Sequence, residues 1–226
     1  MISVVLPTTN RPERAAKCIE RLLETTRDYE LEIICPVDDK PTVEALQVVF
    51  VPGQQAHILY EDDEPRGIIK AWNDGLRVSH GDYIVFAADD LWWEHGWLDE
   101  AMRVMHGLPK GGGLVGFNDL HQNGDVLSTH FLMSRQFVVE HLNGVIAYPH
   151  YVYCCNDTES NGRAKLAGRF AWAEQSVVRH DHPAFGTRER DENDMRNDKY
   201  FTRDVEEFHR REELGFPNDF KPVITK

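Results

Sequence analysis

Cysteine is scarce and unpatterned: the 226 residues contain four, Cys18, Cys35, Cys154 and Cys155. There is no CxxC pair, no Cys/His spacing suits zinc, and an adjacent pair is not a disulfide framework. Free thiols in a reducing compartment are the expectation. Long apolar runs are missing as well. None approaches the roughly 20 residues that span a bilayer. The N-terminal Ile2-Ser3-Val4-Val5-Leu6-Pro7 lacks the basic start and longer apolar region of a secretory signal. A cytoplasmic protein with no membrane partner is therefore expected. Positive charge is also in short supply: 25 Lys and Arg stand against 38 Asp and Glu, a formal net charge of −13. That disfavours strong non-specific binding to nucleic acid or anionic membrane, while leaving room for a local basic groove. No GxGxxG opens a helix after the first strand and no GxxxxGK[ST] occurs, which weakens dinucleotide and P-loop readings. There is no internal repeat and no low-complexity linker.

What is present is ordinary for a folded soluble chain, 41% hydrophobic and 28% charged, and its length favours one large domain over two. Residues 2–6 read as a strand ended by Pro7, and Pro12 suits the first turn of a helix. Ala15, Ala16, Ile19, Leu22 and Leu23 then follow helical spacing. Residues 31–37 form a second strand, and Thr42 can cap a helix reaching about residue 47. A short strand over 57–60 leads into an acidic, turn-like stretch over 61–65. Ile68, Ile69, Trp72 and Leu76 mark the next helix. Residues 83–88 form a buried central strand, and Trp97, Leu98, Ala101, Met102 and Met105 a further helix. Residues 114–117 are a strand, and Asn123-Gly124 is the best hairpin signal in the chain. Strand and helix alternate through this half, which implies parallel strands with helical crossovers. The second half is less regular and more aromatic, with a strand over 176–179. From Thr187 onward the chain is so charged that a solvated terminal helix or arm is the default reading.

Acids cluster where predicted strands end. Asp38 and Asp39 follow the second strand, and Asp89 and Asp90 follow the central one. In a parallel sheet those ends share an edge, so the four carboxylates can face one crevice, where ligands of open α/β sheets bind. Adjacent acids can hold a divalent cation through oxygen, although Asp also simply favours turns and caps. Trp92 and Trp93 follow directly, and either could offer an aromatic face to a sugar or base. Asn156-Asp157-Thr158-Glu159 reads either as a helix start with a capping residue or as a site for a general base. His180-Asp181-His182 after a strand is either a pair of surface histidines or a further source of metal ligands. Imidazole together with carboxylate suits Mn²⁺ better than Mg²⁺.

An ordered series of segments now stands out: Val4-Val5-Leu6-Pro7-Thr8, Val37-Asp38-Asp39, the run Arg66-Gly67-Ile68-Ile69-Lys70-Ala71-Trp72-Asn73-Asp74-Gly75-Leu76, Gly81-Asp82-Tyr83-Ile84-Val85-Phe86, and Asp89-Asp90. Over about the first 105 residues the chain resembles a family-two glycosyltransferase with the GT-A fold. The resemblance implies a twisted, mostly parallel α/β sheet flanked by helices, in a single domain with a C-terminal acceptor-side extension. Residues 1–110 would bind a nucleoside diphosphate sugar, residues 111–186 the acceptor, and residues 187–226 would form the charged helix or arm. It implies that Thr8, Arg11, Asp38, Asp39 and Arg66 surround base and ribose. Asp89, as the metal-binding member of the family's Asp-x-Asp motif, would meet donor and cation. Asp90, His180 and His182 would complete the metal site, with Mn²⁺ or Mg²⁺ as cofactor. Asp157 best matches the family's base for an inverting transfer, with Glu159 second, and the histidines leave a retaining route open. One departure is plain: the first Asp of the motif aligns with Ala87. The donor is expected to be UDP-linked. The acceptor is expected to be a hydroxyl compound, a saccharide rather than a modified DNA base.

Two other readings remain. A nucleotidyltransferase would use a similar fold and metal, but Thr8-Thr9-Asn10-Arg11-Pro12 lacks the glycine-rich loop it needs. A non-catalytic nucleotide-sugar-binding module draws its support from Ala87.

Overall fold

The computed structural model describes residues 1–51, 53–61 and 66–225. The first half alternates as expected: β1 (Ile2–Val5), α1 (Pro12–Thr25), β2 (Leu31–Val37), α2 (Lys40–Val49), β3 (Gln55–Tyr60), α3 (Ile68–Val78) and β4 (Tyr83–Phe86). Then come β5 (Leu91–Trp93), α4 (Trp97–Gly107), β6 (Leu114–Asn118), β7 (Phe131–Ser134), α5 (Arg135–His141), α6 (Asn156–Leu166), β8 (Phe170–His180), α7 (Glu192–Asn197) and α8 (Phe201–Glu213). The sheet runs β3-β2-β1-β4-β7-β6-β8-β5. The first four are mutually parallel, and β6 and β8 are parallel to each other. β7 is antiparallel to both β4 and β6, and β5 to β8. All but β5 and β7 therefore point their carboxyl ends at one edge. The acidic stretch expected over 61–65 lies outside the described residues beyond Glu61.

Side chains of a strand alternate between faces, and both faces here are covered. Val4, Ile33 and Val85 pack with Ile19 and Leu22 of α1, Leu46 of α2 and Trp97 of α4. Their neighbours Val5, Ile34 and Ile84 pack on the other face with Trp72 and Leu76 of α3, Phe137, Ala164 and Phe208. Two-sided burial is why β1 and β4 read as continuous apolar runs. Gly75 is required by this packing: a Cβ there would lie 2.4 Å from Val5 Cγ1. Among the described residues no helix is long and apolar enough to cross a membrane.

Three expectations change. Asn123-Gly124 does form a turn, but not the two-residue connection of a hairpin. β6 and β7 do pair antiparallel, Leu114 opposite Met133, but a long loop over 119–130 joins them. Within it the N–H groups of Val126 and Leu127 both donate to the Asn123 carbonyl, and the Trp172 indole lies against Gly124. The strand expected over 176–179 is the end of the longer β8. The charged C-terminal stretch does form a helix, α8, but it is not a wholly solvated one. Asp204 and Arg211 on α8 are fully buried. Arg211 makes a two-pronged pair with Glu159, Nε to Oε2 and Nη2 to Oε1, both 2.8 Å, and lies 3.5 Å over the Tyr148 ring. Asp204 accepts from the N–H groups of Val152, Tyr153 and Cys154 at 2.7–3.2 Å. Charge here is internal structure, which composition alone does not reveal.

Removing one member of a buried ion pair leaves the other uncompensated and typically costs about 3–5 kcal/mol. Arg211→Met is therefore expected to lower unfolding free energy in urea by that order. The double variant Arg211→Met/Glu159→Leu should recover much of it. Equal destabilisation by the single and double variants would contradict the pairing.

Candidate active site

The carboxyl ends of β1, β2, β4 and β8 open into a cleft of about 1040 Å³, also lined by the loop between β6 and β7, by the starts of α3 and α6 and by α7. Crossover connections put such ends on one edge, which is where α/β sheets bind ligands. The sequence-predicted residues distribute over it unequally.

At the β1–β2 end, Asp38 faces Arg66. The Arg66 Nε donates to Asp38 Oδ1 at 2.6 Å and its backbone N–H to Oδ2 at 3.0 Å. Its Nη2 donates to the carbonyls of Leu59 and Val37. Both residues line the cleft, and Arg66 also locks the ends of β2 and β3 together. Asp39 does something else. It caps α2 by accepting from Thr42 N at 2.9 Å, and takes the Asn10 N–H at 2.6 Å. It is outside the cleft lining, so its contribution is to shape the Asn10 loop.

Thr8 and Arg11 converge on Asp89. Thr8 Oγ1 donates to Oδ2 at 2.7 Å and Arg11 Nη1 to Oδ1 at 3.0 Å. Arg11 continues into the C-terminal segment, with Nε to Asp191 at 2.7 Å and Nη2 to Asp194 at 3.2 Å. Asp194 also takes the Arg188 guanidinium, and Asn193 donates to the Thr9 carbonyl at 2.7 Å. The run 188–194 is thus folded over the first loop. Burial raises the Asp89 pKa against the pull of Arg11, and the Asp90 charge adds to the rise.

Asp90 is 7% exposed, and its Oδ1 has no hydrogen-bond partner. Nε2 of His180 lies 3.4 Å from Oδ1, and the Arg188 guanidinium 3.7 Å from Oδ2. The His130 and His180 rings stand perpendicular, centroids 4.7 Å apart, and the Nδ1 of each is buried without a partner. One ligand atom from each of Asp90, His130 and His180 lies within 4.8 Å of the others. Burial opposes ionisation of Asp90, but His180, His130 and Arg11 outweigh it and hold the pKa below the usual carboxylate range. Burial drives His130 down to about 3, so its imidazole is neutral and free to act as a ligand.

His182 is not in this group. Its Nδ1 accepts the Ala184 N–H at 3.2 Å and starts a 3-10 turn, Pro183–Phe185. His130 was missed in the sequence because it precedes a strand. β7 runs antiparallel, so its start, not its end, reaches the cleft. Its signal was a lone His between Thr129 and a buried apolar run.

Asp157 is the second residue of α6 and lines the cleft. Burial raises its pKa, against the Thr158 N–H that donates to it at 2.8 Å. Glu159 lies on the opposite side of the helix. Besides Arg211 it accepts from Tyr151 Oη at 2.9 Å and is within 3.3 Å of Arg163 Nη1. A buried, fully paired carboxylate is structural, so Glu159 is corrected from candidate base to ion-pair anchor. The tryptophan expectation is corrected too. Trp93 is fully buried against Trp97, and Trp92, under Arg21, is outside the lining of the main cleft and lines a separate hollow beside Arg11, Asp89 and Asp90. Both are on β5, whose alternation sends one inward and one outward. Ala87, where the resemblance expected an acid, is completely buried, and its carbonyl accepts the Trp72 Nε1–H at 2.9 Å.

A family model for glycosyl transferase family 2 matches residues 3–158. The chain belongs to this family. No curated protein sequence matches it. Among solved structures, a mannosyltransferase from Pyrobaculum calidifontis in complex with GDP-Man and Mn²⁺ superposes with TM-score 0.64 at 17% identity, over 79% of this chain and 56% of that one. TarS 1-349 of S. aureus in complex with UDP-GlcNAc gives 0.62 at 14%, over 78% and 57%. Glucosyl-3-phosphoglycerate synthase from Mycobacterium tuberculosis, with Mn²⁺, UDP-glucose and phosphoglyceric acid, gives 0.60 at 18%, over 97% and 81%. This family-2 chain thus spans a little over half the length of the first two. At such identities the likeness establishes the fold, the GT-A α/β sheet expected from the sequence.

The clamp on α7 yields a prediction. Arg11→Met removes the guanidinium that joins Asp89 to Asp191 and Asp194. Backbone amides over 191–197 should then exchange with deuterium at least about tenfold faster, equivalent to 1.4 kcal/mol or more of local stability. Those of 152–154, held by Asp204, should not change. Arg190→Ala, which removes an exposed pair with Asp198, should leave 191–197 within about threefold of wild type, since exposed pairs are worth about 0–1 kcal/mol.

Proposed function

We propose that this chain is a metal-dependent glycosyltransferase that moves a sugar from a nucleoside diphosphate sugar, UDP-linked, to an acceptor hydroxyl by a single inverting displacement. The observation that carries the reading is the Asp90–His130–His180 group on the cleft wall, in which one ligand atom from each residue lies within 4.8 Å of the others and Asp90 Oδ1 is buried without a hydrogen-bond partner. A buried polar atom without a partner is rare and calls for a ligand. One carboxylate and two imidazoles fit Mn²⁺ better than Mg²⁺. A bound cation would offset the negative charge of the diphosphate leaving group.

The chain's own residues supply the rest. Asp38, Thr8 and the first loop offer oxygen acceptors to the N–H of a base and the hydroxyls of a ribose. Arg66 and the Arg11 clamp hold these groups still, so little reorganisation remains when the donor binds. Asp157 takes the proton of the attacking hydroxyl as its oxygen bonds to the anomeric carbon. The bond from that carbon to the phosphate oxygen breaks, and its electrons leave with the nucleoside diphosphate. A raised pKa suits a base that must accept a proton near neutral pH.

Mn²⁺ binding, followed by electron paramagnetic resonance of the free ion, should weaken by at least about tenfold in His130→Ala, by loss of a direct ligand, and much less in His182→Ala. The opposite order would move the site to His182. For catalysis, Asp157→Asn should lower kcat by on the order of 10²–10⁴, the usual range for general acid–base catalysis, with donor KM near wild type. Because the Asp157 pKa is raised, and the base works deprotonated, wild-type kcat should fall with decreasing pH at values above the ordinary carboxylate range. Asp157→Asn should lose that acid limb. Normal turnover by Asp157→Asn would exclude it as base. Mn²⁺-dependent release of nucleoside diphosphate separates a transferase from a binding module.

A further inference from the structure

The cleft is chemically lopsided. Its lining arginines, Arg11, Arg66, Arg190 and Arg196, come from the first loop, the α3 entry and the α7 segment. The wall around Asp157 is built from the 119–130 loop, the start of α6 and the turn after β8. Among the described lining residues this wall has neither Arg nor Lys: Gln122, Leu127, Thr129, Asn156 and Phe185. Its charged member beyond the ligand cluster is Asp157, which repels an anion.

Phe185 is held on this wall as a rigid plate. The turn that carries it is fixed by Pro183, by Phe185 N–H to His182 O at 3.0 Å, and by the His182 cap on Ala184. His121 stacks behind it, centroids 4.4 Å apart and planes 10° from parallel. The His121 loop is pinned in turn by Asp119, 6% exposed, which accepts the N–H groups of His121 and Gln122, both at 2.8 Å. Asn156 is 3% exposed, lines the same cleft, and its Oδ1 is buried without a partner. A side-chain amide is a neutral acceptor and donor, the complement of a hydroxyl.

We propose that the acceptor is an uncharged saccharide whose ring lies against Phe185 and donates a hydroxyl to Asn156. This rests on the glycosyl-transfer reading and names the substrate class of that site. The flat face of a pyranose presents C–H groups that suit the electron-rich face of an aromatic ring. Its hydroxyls meet Gln122, Thr129 and Asn156, and one faces Asp157. A phosphate- or carboxylate-bearing acceptor would meet neither Arg nor Lys among the described residues of this wall. A preformed plate also keeps the ordering cost of binding low.

The test has two arms. Saturation-transfer NMR uses methyl glucoside, methyl mannoside and methyl galactoside, with 3-phosphoglycerate as the anionic control. At least one glycoside should receive saturation, Phe185→Tyr should keep it and Phe185→Leu, of similar apolar bulk, should lose it. In the second arm, nucleoside diphosphate release from UDP- and GDP-sugars with Mn²⁺ is measured with each acceptor and with hydroxymethylated duplex DNA. A glycoside should accelerate release. Phe185→Leu should raise acceptor KM by about two- to tenfold relative to donor KM, the range of one aromatic contact. Acceleration by 3-phosphoglycerate or DNA alone, or an unchanged acceptor KM in Phe185→Leu, overturns the proposal. Saturation of a glycoside that is lost in Phe185→Leu, with no nucleotide release at all, supports the saccharide plate and sinks the transfer reading. Absence of both overturns the two together.

Discussion

Everything at the cleft depends on how four carboxylates are kept together in little space. Asp89, Asp90, Asp191 and Asp194 meet where β1 and β4 end, and at low dielectric such a group repels itself strongly. Arg11 resolves this, because a planar guanidinium can serve several carboxylates at fixed angles. It binds Asp89 on one side and Asp191 and Asp194 on the other. Arg188 takes both oxygens of Asp194, sharing one with Arg11, and approaches Asp90. The first loop of the chain and its C-terminal segment are therefore joined by charge rather than by apolar packing. Asp90 Oδ1 has only His180 Nε2 near it, at 3.4 Å, and makes no hydrogen bond.

Much of this was legible in the sequence where a strand is parallel. Residues following β2 and β4 reach the cleft because those strands point there, and Asp38, Asp89 and Asp90 could be found by that rule alone. The rule fails at β7, whose reversed direction brings in His130. It also says nothing about which neighbour faces the cleft. Asp157 and Glu159 are two residues apart, and two steps of 100° put their side chains on opposite sides of α6. Trp92 and Trp93 are one residue apart on a strand, with the same outcome. Periodicity could have separated both pairs, but the polar start of α6 and the three apolar residues of β5 gave no alternation to set the phase.

The C-terminal stretch was illegible for another reason. Runs such as Glu206-Glu207-Phe208-His209-Arg210-Arg211-Glu212-Glu213 look solvated by composition. Only tertiary pairing tells that Arg211 is completely buried while Arg210 next to it is exposed. Ala87 belongs with these cases. An acid there would have to displace a side chain from the core, since the Ala87 backbone is tied to Val5 and to the Trp72 indole. The β4 end carries its acids two and three positions further on, at Asp89 and Asp90.

Asp204 also sets an order in time. Its carboxylate gathers the N–H groups of residues 152–154, some fifty positions earlier, and those residues lead directly into α6 and Asp157. Contacts of such sequence separation form only after a large loop has closed. A chain emerging from the ribosome can complete the whole β1–β4 half, with its Asp38 and Asp89, long before that carboxylate exists. During synthesis the β1–β4 strand ends thus precede the segment around Asp157, while the first loop is clamped only once Asp191, Asn193 and Asp194 have been made. The segment that carries the Asp157 carboxylate is fastened only when α8 has been made and docked.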